Sequence, residues 1–95
     1  MNIFSFFEVE FQFIINHLIS ADLLSGNIDT SRVVFVLPRD ESHGDLATNA
    51  AMVLAKQAGK PSRDLAALFA AELAKIDGVI SVDVAGPGFL NLTIE

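Results

Sequence analysis

The stretch VDVAGPGFLNLTIE, Val82 to Glu95, decides the fold. Apolar and polar residues alternate on both sides of a Gly-Pro-Gly break, the period-two pattern of half-buried strands. In the first strand Ile80, Val82 and Val84 are expected on one face, with Ser81, Asp83 and Ala85 opposite. In the second, Leu90, Leu92 and Ile94 face the core, while Phe89, Asn91, Thr93 and Glu95 face outward. A break as short as Gly86-Pro87-Gly88 joins the two as an antiparallel hairpin. The same pattern puts a phenylalanine on the wet side of the last strand, two positions from an asparagine.

Upstream of the hairpin the period changes to that of helices. Leu65, Leu68, Phe69, Leu73 and Ile76 form an amphipathic stripe, opened by Pro61-Ser62 with Ser62 as N-cap and stopped by Asp77-Gly78. The segment LATNAAMVLAKQA, residues 46–58, reads as an alanine-rich helix capped by Asp45 and closed at Gly59. PRDESHGD, residues 38–45, is a polar loop in which Gly44 points to a close backbone approach. RVVFVL, residues 32–37, is the β-branched run of a buried strand ended by Pro38, and SGNIDTS before it is a turn cluster.

From Asn2 to about Leu24, Phe4, Phe7, Phe11, Ile14, Ile15 and Leu18 recur at helical spacing, although FEVEFQF also alternates as a strand would. Phe6, Val9 and Phe13 lie off the stripe. They are either extra core and self-association contacts or a docking surface for a larger protein. The expected order is helix, strand, helix, helix, strand, strand. Helices on one face of a small, mainly antiparallel sheet make a two-layer α+β fold, and 95 residues suffice for one such domain, 1–95.

Composition narrows the function. A 52% apolar, 19% charged chain is not disordered, and without cysteine it holds no disulfide or thiolate metal site. A net charge of −6 argues against a general nucleic-acid binder, whose affinity rests on many Lys and Arg contacts to phosphate. Any such role must be local and shape-specific, or shared with another domain. The apolar N-terminus has no basic leader region and is interrupted by Glu8, Glu10, Gln12, Asn16 and His17, so a cytoplasmic chain with no membrane partner is expected.

Four features invite a chemical reading. Gly59-Lys60 within AGKPS lacks the upstream glycine of a phosphate loop and reads as a helix end followed by a helix start. His17 is a lone surface histidine. Glu41, His43 and Asp45 fall within five positions, but neither an acid–base pair nor a metal set is established by that spacing; a turn, a contact loop or a small active site are the alternatives. Phe89 and Asn91 make the fourth feature. On a rigid strand the ring can stack on an unpaired base and the amide can read its edge, with the flanking glycines leaving room for a sugar–phosphate backbone. An exposed phenylalanine packed under a loop is the bland alternative.

HGDLATN (His43 to Asn49) followed by AGPGFLN (Ala85 to Asn91) resembles the N-terminal appended domain of arginyl-tRNA synthetases. The likeness extends over nearly the whole chain. It implies a module that packs against the catalytic domain of the same polypeptide and touches the elbow of arginine tRNA, where it recognises a D-loop nucleotide. Phe89 and Asn91 match the aromatic and amide positions, and Gly86, Pro87 and Gly88 match the turn before them. Ala85 stands where some relatives have a polar residue, which leaves a third base contact in doubt. Arg39, with Lys56 as a second candidate, is assigned to nearby phosphates by loop position. The implied parent reaction joins arginine to its tRNA using ATP with magnesium. No cofactor is expected in this chain, because the HIGH-like and KMSK-like signatures that bind ATP are absent from it, and the chain is expected to be a non-catalytic N-terminal part of a longer enzyme.

Overall fold

A computed structural model describes residues 2–38 and 44–95. The elements run α1 (Ile3–Ser20), β1 (Phe35–Val36), β2 (Leu46–Thr48), α2 (Ala50–Ala58), α3 (Ser62–Leu73), β3 (Val79–Ala85) and β4 (Phe89–Ile94). The strands pair antiparallel in the order β1-β2-β4-β3. All three helices pack their apolar faces on one side of this sheet, so the two-layer α+β architecture holds.

Helix α1 begins where the Asn2 carboxamide accepts a hydrogen bond from the Ser5 amide, 2.8 Å. It ends where Asp22 turns left-handed, φ 62, with the Leu23 amide donating back to the Leu18 carbonyl. The helical alternative for this segment is the observed one: Phe7, Phe11, Ile14, Ile15 and Leu18 are buried. Aromatic rings tie the layers together. Phe11 meets Phe35 of β1 at 5.9 Å and Phe69 of α3 at 5.0 Å, both edge-on, and Phe7 stacks on Phe35. Leu46, Leu90 and Leu92 complete the floor of this core.

Five expectations need correction. Leu46–Thr48 is not the first turn of a helix but a central strand, held between β1 and β4. Asp45 is therefore not the cap of α2; its amide donates to the Leu92 carbonyl and its carboxylate accepts from the Ile94 amide, each at 2.8 Å. RVVFVL is not a buried strand: only Phe35–Val36 pairs, at the sheet edge, and Val34, Val36 and Leu37 are exposed. A register shift between Val79 and Ser81 places Ile80 outside the ladder and exposed, so Val79 takes the core-facing place expected of Ile80. Ser62 is the first residue of α3 rather than its cap, and its hydroxyl is used elsewhere. Gly59 closes α2 in the left-handed conformation as expected, φ 65.

Candidate nucleic-acid interface

The helices cover one face of the sheet, and no described helix packs on the other, as antiparallel sheets allow. On β4 the alternation holds: Leu90 and Leu92 are fully buried, while Phe89 points to the open face with 39% of its surface exposed. Pairing sets its neighbours. Phe89 lies across from Ala85, and Asn91 lies between Ala47 of β2 and Asp83 of β3. Asn91 is half-buried and Asp83 exposed. The row thus offers an aromatic face, an amide that both donates and accepts, and a carboxylate that only accepts. A phosphate would be repelled from Asp83; the amino edge of a base would not. Sequence reasoning passed over Asp83, and only the register reveals that it faces Asn91.

The turn before β4 is docked on the N-terminal end of α3. Gly86 and Gly88 both have positive φ, 56 and 135, and the Gly88 amide donates to the Ala85 carbonyl at 3.3 Å. The Arg63 guanidinium donates to the Gly86 carbonyl, Nη1 to O 2.6 Å. The Ser62 hydroxyl donates to the Pro87 carbonyl. Gly88 is buried, and a Cβ on it would lie 3.2 Å from the Ser62 Cβ and 3.5 Å from Met52 Cγ. Nothing in the sequence pattern signals that Arg63 meets a turn 23 positions later.

A second latch holds β4 from the other side. Gly44, φ 90, passes so close to the strand that a Cβ would sit 2.6 Å from the Leu92 carbonyl oxygen. Together with the two Asp45 hydrogen bonds, this makes Gly44-Asp45 a structural latch beside Asn91. Asn49 also works at a distance: its carboxamide accepts from the Val34 amide at 2.9 Å and donates to the Arg32 carbonyl at 3.2 Å.

Other candidates are not brought together. Arg39, Glu41 and His43 lie outside the described residues, and Asp45 is occupied as described. Lys56 is exposed in the last turn of α2, in the helical layer rather than on the Asn91 face. Lys60 lies between α2 and α3, after a helix end and before a helix start. His17 is exposed, 3.8 Å from the Glu72 carboxylate. Among the described residues no cluster of His, Asp or Glu has the geometry to hold a metal ion, and no described helix is long and apolar enough to cross a membrane. A cleft of about 260 Å³ between α1 and β1 is lined by Glu8, Phe11, Gln12, Thr30, Ser31, Val33 and Phe35, and contains none of the candidate residues. Ile3, Phe6, Val9 and Phe13 form an exposed apolar stripe on α1.

The family model described as the arginyl tRNA synthetase N terminal domain matches residues 12–94. An arginine–tRNA ligase of Xanthobacter autotrophicus is 46% identical over 95 residues, and one of Parvibaculum lavamentivorans is 50% identical over the same length. Each match takes in 100% of this chain and 16% of the relative, so the chain spans about one sixth of their length. The crystal structure of arginyl-tRNA synthetase from Plasmodium falciparum superposes on 98% of this chain and 16% of that one, with a TM-score of 0.75 at 13% identity, a likeness of fold alone.

Proposed function

Because this chain belongs to the family of arginyl-tRNA synthetase N-terminal domains, we propose that its open sheet face binds arginine tRNA at the D-loop. Phe89 stacks on an unpaired base and Asn91 reads the polar edge of that base. The glycines of the turn admit the sugar–phosphate backbone, and Arg39 contacts a nearby phosphate. In this reading the chain is the non-catalytic N-terminal unit of a longer arginine–tRNA ligase, and arginine activation with ATP and magnesium belongs to the catalytic domain of that polypeptide.

One observation carries the assignment: an aromatic ring 39% exposed on an uncovered strand, two positions from an amide on the same face. Stacking of this kind is worth about 1–3 kcal/mol per base. The test is an NMR titration of the ¹⁵N-labelled chain with an arginine tRNA transcript at low salt, beside a tRNA of other specificity. Amide shifts gathered on Phe89, Asn91 and the Gly86–Gly88 turn with the arginine tRNA alone are the expected result. Equal responses to both tRNAs, or none to either, defeat the reading.

The exposed stripe of Ile3, Phe6, Val9 and Phe13 supports a second role, docking of α1 on the remainder of the longer polypeptide. The isolated chain then self-associates through this stripe. Sedimentation should show concentration-dependent dimers that Phe13→Glu abolishes, and a monomeric wild type would count against it.

A further inference from the structure

We infer that Arg63 and Ser62 of α3 are positioning residues for Phe89: they fix the Gly-Pro-Gly turn so that the ring is held in place before a base arrives. The inference rests on the tRNA reading above. Each residue of the turn is engaged by the helical layer. Arg63 holds the Gly86 carbonyl at 2.6 Å, Ser62 holds the Pro87 carbonyl, and Gly88, at φ 135, packs closely against Ser62 and Met52.

A turn flanked by two glycines is the least stiff part of a hairpin, because both glycines have wide backbone freedom. Phe89 follows it directly, so any pivot at Gly88 swings the ring. The three contacts remove that pivot. Both central carbonyls point at α3, away from the open face, so an approaching phosphate does not meet their negative ends. The guanidinium holds its carbonyl with one of its five N–H groups, at the end of a side chain longer than that of lysine. Interface groups fixed in advance bind with less ordering cost, which is the benefit the clamp confers.

A double-mutant cycle on this chain tests the inference, with affinity for an arginine tRNA transcript read by fluorescence anisotropy. Arg63→Ala is expected to weaken binding by up to about tenfold in the wild-type background, the scale of the ordering cost that the clamp removes, and by less than about twofold in the Phe89→Ala background. Arg63→Lys keeps the charge and a donor on a shorter side chain, so it should recover part of the loss. Ser62→Ala should act in the same direction, with lower order parameters at Gly86, Gly88 and Phe89 in the free protein while the melting temperature stays within a few degrees. Losses that multiply across Arg63 and Phe89 would make Arg63 an independent phosphate contact and overturn the inference. So would wild-type affinity in Arg63→Ala while Phe89→Ala binds weakly. Should Phe89→Ala itself bind as tightly as wild type, the tRNA reading falls first and the positioning role falls with it.

Discussion

Gly44→Ala should be among the most damaging single-methyl additions to this protein, and the reason is separable from backbone strain. Gly44 has φ 90, where an L side chain costs about 1–2 kcal/mol. A Cβ there would also stand 2.6 Å from the Leu92 carbonyl oxygen and 3.1 Å from its carbon, both backbone atoms that cannot rotate aside. Relief requires moving the chain off β4, which threatens the Asp45 amide bond to Leu92 and the Ile94 amide bond to the Asp45 carboxylate. Those two are worth about 2–3 kcal/mol together. The total is roughly 3–5 kcal/mol, against a stability of about 5–14 kcal/mol for a chain this long. Gly59→Ala is the control: its φ of 65 imposes similar strain, yet a Cβ meets nothing within 4 Å. Urea unfolding followed by circular dichroism should place Gly44→Ala at least about 2 kcal/mol below Gly59→Ala. Equal losses in the two variants would show that the close approach to β4 carries no energy, and the latch argument would fail.

Phe11→Ala, which empties the contact between the Phe35 and Phe69 rings, should cost about 3–5 kcal/mol in the same unfolding assay. Asn49→Ala should cost about 1–3 kcal/mol through its two backbone partners, with faster hydrogen exchange at Val34; helix α2 should keep its start, because the Asn49 side chain makes no capping bond. The Ser31 amide, donating to the Asp29 carboxylate, holds that carboxyl below the usual aspartate range. The folded form therefore gains stability above the unfolded aspartate value and loses it as pH falls through the folded one; a ¹³C titration placing Asp29 at or above the ordinary value would refute this. Affinity for arginine tRNA should fall gently with salt, with about one to three phosphates neutralised, since the chain carries −6 overall and Asp83 stands on the proposed face. A slope of −5 or steeper would mean the contact surface lies elsewhere.

The elements most legible in the sequence are those whose pattern coincides with their packing. The hairpin alternation, the α1 stripe and the Gly59 helix end follow from local spacing and survive in the fold. Strand β2 was hidden because Leu46–Thr48 is only three residues long and runs directly into good helix formers; Asp45 ahead of it has the identity of a cap. Pairing with β4 overrides that local preference, and no local signal reports a partner more than forty positions away. RVVFVL misled for the opposite reason. Its β-branched residues suit a strand, but an edge position with a single partner buries only Phe35. Ile80 was misplaced by a bulge, which shifts the alternation by one residue and leaves composition unchanged.

The candidate site divides the same way. Phe89 and Asn91 were legible because outward-facing positions on a strand are fixed by alternation, and an exposed ring there is unusual enough to notice. What holds them was not, because Arg63 and Ser62 look like the ordinary polar first turn of a helix. Their hydroxyl and guanidinium matter only once the hairpin has folded back onto α3, and then they satisfy carbonyls of a turn whose glycines would otherwise leave it loose. The latch from Gly44-Asp45 reaches β4 at Leu92 and Ile94, beyond Asn91, while the α3 clamp reaches the turn before Phe89. The two residues proposed to meet the base therefore lie on the segment of strand fixed at both ends by contacts from outside the sheet.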